Sequence, residues 1–388
     1  MSDTALEVSL VMPCLNEART LATCIRKAQS AIAKQGLRAE IVVADNGSTD
    51  GSDRIARECG ARVVSVRERG YGAALMGGIA AARGAYVVMG DADDSYDWAS
   101  IATFVERLRE GYDLVMGCRL PSGGGTVHAG AMPFAHRWLG NPTLTWLSRV
   151  FFRCPISDIY CGLRAFRKDR HERLGLSMTG MEFACEMVIK ATLAGHSITE
   201  LPVTLYPDGR ARPSHLRTWR DGWLTLRFML LFSPRWLFLI PGCILFALGL
   251  VVGARLVAGP IRVGAVVFDV NTLLMCGMAV LMGFQLVAFA VFTKVYAVSQ
   301  GLLPEDTTLR RLLNAVRLEG GLAIGGVLSL VGLGLLLWAV DYWRAFGFGP
   351  MSYTKSLRLS IPAVIVSTLG VEVIFSSFFL GILGLRRR

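Results

Sequence analysis

The apolar positions of this 388-residue chain follow two rhythms, and the change falls near residue 235. Before it, short apolar runs alternate with charged segments, as in a soluble α/β domain. The run at 8–12 is followed by Pro13-Cys14-Leu15-Asn16-Glu17 and a helical stretch. A second run, at 40–44, ends in Asp45-Asn46-Gly47-Ser48-Thr49-Asp50, a turn leading into another helix. A third, at 62–66, precedes Gly70-Tyr71-Gly72 and a helix rich in alanine and glycine. A fourth, at 86–89, ends in Gly90-Asp91-Ala92-Asp93-Asp94. Strand, turn and helix repeated four times predict a mostly parallel sheet covered by helices. Ligands of such sheets bind at the carboxyl ends of the strands. All four polar turns sit at those ends, so they are expected to line one crevice.

Beyond residue 235 charge nearly vanishes for long stretches. Four of them, about 236–257, 270–293, 320–340 and 359–385, approach or exceed the ~20 residues a helix needs to cross hydrocarbon. The sequence thus divides into an α/β domain at 1–213, a juxtamembrane segment at 214–235 and a four-helix transmembrane domain at 236–388. In the middle segment Leu216, Trp219, Trp223, Leu226 and Leu230 recur at helical spacing, with arginines on a neighbouring stripe. That pattern suits a helix lying in the membrane interface with its tryptophans at head-group depth. A helix packed on the soluble domain is the alternative. Glu372 falls within a span, where an ionised carboxylate is costly, and reads either as a lipid- or proton-handling group or as a hydrogen-bonded structural contact. The pairs Gly249/Gly253 and Gly321/Gly325 allow close helix packing, within one chain or between subunits of a homo-oligomer.

Charge placement decides what the net charge of +11 means. Arg210, Arg212, Arg217, Arg220, Arg227 and Arg235 precede the first span, and Arg386, Arg387 and Arg388 follow the last. Basic clusters flanking spans point to cytoplasmic loops and anionic lipid head groups, not to nucleic acid. Arg310, Arg311 and Arg317 fit the same side, whereas Arg344, Lys355 and Arg358 would face outward. The expectation is a multi-pass protein of the plasma membrane with the α/β domain and both termini cytoplasmic. The absence of a basic-apolar leader agrees with this, leaving the first domain on the side where it is made. Nine scattered cysteines, with no C-x-x-C pair, read as reduced small hydrophobes.

Asp91 and Asp93 carry the chemistry. Alternate carboxylates leaving a strand can share a hard cation whose shell is completed by diphosphate oxygens and water. Asp94 and Asp97 read instead as helix-start residues. Asp45 is expected to accept hydrogen bonds from a nucleobase or ribose, with Pro13, Asn16 and Glu17 framing that subsite. Gly72 would allow close backbone approach to the nucleotide.

Pro-x-x-Asn-Glu, Asp-Asn-Gly-Ser-Thr-Asp, Gly-Tyr-Gly and Gly-Asp-Ala-Asp-Asp together resemble family 2 glycosyltransferases of the GT-A fold, in particular the dolichyl-phosphate mannose and glucose synthase branch. The likeness continues through Ser157-Asp158-Ile159-Tyr160-Cys161-Gly162-Leu163-Arg164-Ala165-Phe166 and Gly180-Met181-Glu182-Phe183, covering roughly 7–235. Asn46 departs from it, standing where the family commonly has a second aspartate. The resemblance implies that Asp45 and Asn46 lie at the nucleotide, that Asp91 and Asp93 hold Mg²⁺ or Mn²⁺ and the donor diphosphate, and that Ala92 lies among the donor-binding residues. It places Asp158 beside sugar and acceptor, and Glu182 at the acceptor side of the pocket. Arg119, Arg137 and Arg164 become candidates for the lipid phosphate or the donor diphosphate. Arg210 and Arg212 would close over bound substrates.

The implied reaction is inverting transfer of a hexose from a UDP- or GDP-linked donor to polyprenyl phosphate. Glucose from UDP-glucose is the first reading; mannose and N-acetylhexosamine are the others. A phosphate monoester, with a second pKa of ~6, is largely a dianion at neutral pH and needs no strong base to attack an anomeric carbon. Asp158 is therefore expected to orient and stabilise charge, not to abstract a proton. A processive polysaccharide synthase fits less well: Arg137-Trp138 follows Phe134 where such enzymes carry Gln-x-x-Arg-Trp, and it precedes the Glu182 motif. A nucleotide-sensing transporter fits worse, because the spans show no paired charges beyond Glu372 and no inverted repeat.

Overall fold

The computed structural model describes residues 6–209, 218–300, 303 and 318–385. It forms two units, Met1–Met229 and Leu230–Arg388. In the first, seven strands make one sheet: β1 (Val8–Cys14), β2 (Ala39–Asp45), β3 (Arg62–Ser65), β4 (Tyr86–Met89), β5 (Leu114–Cys118), β7 (Arg164–Arg167) and β8 (Ile198–Pro202), in the order β3-β2-β1-β4-β7-β5-β8. A second, two-stranded sheet pairs β6 (Thr126–Val127) with β9 (Thr204–Leu205). β1 is buried along its whole length and sits between β2 and β4, with Leu10 in register with Ile41 and Val88. All strands of the large sheet are parallel to their neighbours except β7, which runs antiparallel to both β4 and β5.

The helices that cover the sheet follow the expected rhythm. Helix α1 (Leu21–Gln35) buries Leu21, Cys24, Ile25, Ala28 and Ala31, one stripe at 3.6-residue spacing, and stops at Gly36 with φ 59°. Burying the leucine and isoleucine contributes about 1.5–3 kcal/mol each. The others in the sheet unit are α2 (Ser52–Glu58), α3 (Tyr71–Ala81), α4 (Ile101–Arg109), α5 (Asn141–Phe152), α6 (Lys168–Glu172), α7 (Phe183–Leu193) and α8 (Thr218–Leu231), the last of which ends just past the unit's boundary.

The antiparallel strand matters most for function. Arg164, the first residue of β7, pairs with Met89, the last of β4. The segment entering β7 is thereby delivered to the carboxyl end of β4, directly beside Asp91.

His171 of α6 is buried and stacks on Phe166 at 4.4 Å, and neither ring nitrogen has a hydrogen-bond partner. Burial, assisted by His196, pushes its imidazole down to about 4. Between pH ~6.5 and 4 the unfolded chain binds a proton that the folded chain refuses, so stability falls as pH drops through that window. The loss at pH 5 is expected to be about 2 kcal/mol. His171→Leu should flatten that part of the melting-temperature profile; an unchanged slope from pH 7.5 to 5 would refute the assignment.

Among the described residues of the second unit, four helices are long and apolar enough to cross a membrane: Arg235–Ala258, Val270–Ser299, Leu318–Arg344 and Tyr353–Leu383. They correspond to the four stretches read from the sequence. We label the helices α9 (Ile240–Ala258, continuing a π-turn from Arg235), α10 (Val270–Ser299), α11 (Leu318–Arg344) and α12 (Tyr353–Leu385). Both glycine pairs are used inside the chain. A Cβ on Gly249 would meet Cys276 O of α10 at 2.7 Å, and one on Gly325 would meet Gly370 O of α12 at 2.8 Å. Glu372 Oε1 accepts a 2.7 Å hydrogen bond from Gln285 of α10, while its Oε2 is buried without a hydrogen-bond partner. Arg358 pairs with Asp269. Arg310, Arg311, Arg317 and Arg386–Arg388 lie outside the described residues.

Candidate active site

The turns after β1 and β2 are stitched together through side chains. Asn16 adopts φ 59°, a left-handed conformation asparagine tolerates. Its backbone N–H donates to Ser48 Oγ at 2.9 Å, and its side-chain Oδ1 accepts from Thr49 N at 2.8 Å. Glu17 N donates to Ser52 Oγ at 2.9 Å, and Ala18 N to Asp50 at 3.0 Å. Pro13 fits in a central strand because Val11 O bonds Gly90 N where β4 ends, so the next position facing that side needs no donor. Pro13, Asn16, Glu17, Asp45 and Asn46 are therefore brought together as expected.

Two of them also have partners within the protein. Asp45 turns back to accept from Gly47 N at 3.1 Å and Ser48 N at 3.2 Å, which fixes its own turn. Asn46 is a latch: Nδ2 donates to Val66 O at 3.1 Å and Glu68 O at 2.6 Å, while Oδ1 accepts from Gly70 N at 2.9 Å. An aspartate could not donate to two carbonyls. The side-chain amide at this position holds the 66–70 segment in place.

Asp91 and Asp93 leave the end of β4 as anticipated. Asp93 is buried, and its Oδ1 accepts from Ser95 N at 3.0 Å and Ser95 Oγ at 2.6 Å. Asp91 Oδ1 accepts from the Tyr71 hydroxyl at 2.9 Å. Burial, with the Asp91 charge, holds the Tyr71 phenol well above its ordinary value, so this hydroxyl keeps its proton. Ala92, between the two, is buried and its carbonyl accepts from Thr20 Oγ1 at 2.7 Å. Asp97 caps the next turn by accepting from Ala99 N, as expected. Asp94 does not start a helix; it sits at φ 64° in a 2.7 Å ion pair with Lys27. Among the described residues no group of three or more His, Cys, Asp or Glu could hold a metal. Two hard carboxylates without a third protein ligand fit a divalent ion that arrives with a diphosphate, not a closed protein cage.

Several predicted contacts are corrected. Asp158 is fully buried and engaged by Arg119, whose Nε and Nη2 reach its two oxygens at 2.7 and 2.9 Å; Arg119 N adds a bond at 3.1 Å. Burial alone would raise this carboxyl, but the Arg119 guanidinium reverses that and holds it below the ordinary value. Asp158 thus positions Arg119 and has no face left for a sugar. Arg164 is also fully buried, with its guanidinium on the carbonyls of Cys161, Ala184 and Ile159, so it reaches neither a lipid phosphate nor the diphosphate. Gly72 faces protein: a Cβ there would lie 2.3 Å from Met178 O and 2.7 Å from Phe183 Cβ. The close approach is made by the 178–180 backbone instead of a nucleotide. Glu182 precedes α7 and turns its carboxylate against Gly180, with Oε2 buried and lacking a hydrogen-bond partner. Arg210 and Arg212 lie outside the described residues.

What the sequence reading missed is the character of the segment from Arg119 to Arg153. It contains no aspartate or glutamate, yet carries Arg119, Arg137, Arg149 and Arg153. Phe134, Trp138, Leu139 and Trp146 stand exposed on it, Phe134 at 79%. Arg137 lies 5.5 Å from the Trp138 ring centre, with its Nε buried and unpartnered. Counting acids along the chain would have found it. The buried Tyr96 accepts from Gly162 N at 2.9 Å, and Gly162 in turn packs against Asp91 Oδ2. On α8, Thr225, Phe228 and Met229 are buried while Trp219 and Trp223 are exposed, Trp219 at 89%.

Over 388 residues the chain is 37% identical to the low-salt glycan biosynthesis hexosyltransferase Agl6 of Haloferax volcanii, covering 99% of this chain and 90% of that protein. Residues 9–175 match glycosyl transferase family 2, and residues 291–384 match the family 2 C-terminal transmembrane region. The chain belongs to glycosyltransferase family 2. A dolichyl-phosphate hexose transferase of the same organism is 33% identical over 167 residues, 43% of this chain and 69% of that one. Glucosyl-3-phosphoglycerate synthase from Mycobacterium tuberculosis, solved with Mn²⁺ and UDP-glucose, aligns at a TM-score of 0.46 and 24% identity, covering 58% of this chain and 79% of that one. The transferase thus carries its catalytic domain as a GT-A-like, mostly parallel sheet, followed by four apolar helices.

Proposed function

We propose that this family 2 transferase moves one hexose from a nucleotide-sugar to the phosphate of a polyprenyl lipid, with inversion at the anomeric carbon. One combination carries the reading: an acidic pair at the end of β4, and an acid-free segment from Arg119 to Arg153 that displays arginines and bare aromatics, its Arg119 end tied through Asp158 to the stretch whose Gly162 packs against Asp91. The first suits the diphosphate side of a donor, the second an anionic head group at a bilayer surface. The names of the two archaeal relatives, a hexosyltransferase and a dolichyl-phosphate hexose transferase, support the same reading.

The phosphate dianion supplies the nucleophile. One of its oxygens forms the new bond to the anomeric carbon as the bond to the nucleoside diphosphate breaks, so an α-linked donor gives a β-linked lipid phosphate. The chain's task is alignment of two anions, worth several powers of ten in rate. Arg137 is assigned to the lipid phosphate, because its unpartnered Nε–H stands among membrane-seeking side chains. Glu182 Oε2, buried without a donor, is assigned to a sugar hydroxyl. Asp91 and Asp93 would hold Mg²⁺ or Mn²⁺, which when bound offsets the charge on the departing diphosphate. Asp45, Asn16, Glu17 and Pro13 form the wall where the nucleoside would lie. UDP-glucose is the donor we favour. The exposed Trp219 and Trp223 of α8 would share head-group depth with Trp138, keeping the catalytic domain on the cytoplasmic face.

Arg137→Ala tests the acceptor assignment, assayed in nanodiscs with varied polyprenyl phosphate. Loss of a charged hydrogen bond of about 1.5–3 kcal/mol should raise the acceptor KM roughly 10- to 100-fold and leave the donor KM within twofold. An unchanged acceptor KM would remove Arg137 from the lipid site.

A further inference from the structure

We propose that Tyr71 is a positioning residue for the divalent-ion site, fixing Asp91 in the orientation in which it meets the ion. The inference rests on the assignment of Asp91 and Asp93 to that ion. The Tyr71 hydroxyl donates to Asp91 Oδ1 at 2.9 Å. On the carboxylate's other side, a Cβ on Gly162 would stand only 2.6 Å from Asp91 Oδ2, so the Gly162 backbone packs against that oxygen. The carboxylate is thus held between a hydroxyl on one oxygen and a backbone wall on the other.

The phenol itself has little freedom. Tyr71 is the first residue of α3 and stands between two glycines that have no room for side chains. A Cβ on Gly70 would lie 2.1 Å from Thr179 O, and one on Gly72 would lie 2.3 Å from Met178 O. Ala73 N bonds the same Thr179 carbonyl at 3.1 Å. The opposing loop is pinned in turn by the fully buried Glu186, which accepts from Ser177 N at 3.0 Å and Met178 N at 2.9 Å. From Glu186 to Asp91 the path is a chain of packed or bonded groups, and it ends on a carboxylate. Partners one step outside a ligand fix its orientation, and their loss typically weakens ion affinity 10- to 100-fold. The central residue of Gly-Tyr-Gly thereby gains a role that the flanking glycines exist to permit.

The test uses the full-length protein in nanodiscs, with Mn²⁺ binding followed by EPR in the presence of UDP or, in parallel, GDP. Tyr71→Phe keeps the ring and removes the hydroxyl. It is expected to weaken Mn²⁺ binding at least tenfold and to raise the Mn²⁺ concentration for half-maximal transfer by the same factor. The rate at saturating Mn²⁺ should return to within a few-fold of wild type. Unchanged Mn²⁺ affinity, or a loss of transfer equal at every Mn²⁺ concentration with a lowered melting temperature, would overturn the proposal. Asp91→Asn separates the two levels: wild-type Mn²⁺ affinity in that variant defeats the ion site itself, whereas lost affinity there with none lost in Tyr71→Phe defeats only the role of Tyr71.

Discussion

Asp93→Asn is expected to lower sugar transfer about a thousandfold while leaving the fold intact. The asparagine oxygen can still accept from Ser95 N and Ser95 Oγ, so the turn after β4 keeps its hydrogen bonds. The negative charge and the second acceptor oxygen are lost. A held divalent ion contributes several kcal/mol to leaving-group stabilisation, and ~4 kcal/mol corresponds to about 10³ in rate. Asp93→Ala removes the acceptor as well and should cost about 1–2 kcal/mol of stability on top of the same kinetic loss. Steady-state transfer and thermal denaturation of both variants separate the two effects. Near-normal transfer by Asp93→Asn would take the carboxylate out of the chemistry.

Arg119→Ala carries the largest expected effect on stability. Its partner Asp158 has no exposed side-chain surface and Arg119 only 10%, so truncation strands a buried carboxylate. Breaking such a pair from one side costs about 3–5 kcal/mol. Replacing both, as in Arg119→Met with Asp158→Leu, should recover most of that loss, because the desolvation of two charges is also removed. Melting temperatures of the single and double variants decide it. A single variant as stable as wild type would show that the pair holds nothing. For function the pair ties the end of β5 to the segment entering β7, the same segment whose Gly162 backs Asp91.

Much of this could be read from residue order alone. Four strand–turn–helix units sort themselves by apolar runs and polar turns, and strand direction then gathers the turns at one edge. The four apolar helices were equally plain, since length and absence of charge are local properties. The sheet's far side was not. β7 has four residues, and its antiparallel insertion between β4 and β5 depends on long-range pairing that no local periodicity reports.

The errors at the site share one cause. Asp158, Arg164 and Gly72 were placed in the pocket by their chemistry or family resemblance, whereas each is consumed by a neighbour distant in sequence: Arg119, the Ala184 carbonyl and the Met178 carbonyl. A sequence names which groups can bond, but not which partners are already taken. Asn46 shows the converse. Its departure from the family pattern matches a donor requirement set by two carbonyls twenty and twenty-two residues on. Tyr71 has no local signature of function, because its partner Asp91 lies twenty residues on.

The account stands or falls on what leaves the enzyme. Purified full-length protein in nanodiscs, given UDP-glucose, Mn²⁺ and polyprenyl phosphate, with GDP-mannose and UDP-N-acetylhexosamines as parallel donors, is followed by mass spectrometry of the extracted lipids. A polyprenyl phosphate heavier by a single sugar, formed with at least one donor and abolished by EDTA, is the expected product. A ladder of sugars, or donor turnover with no sugar on the lipid, would contradict it.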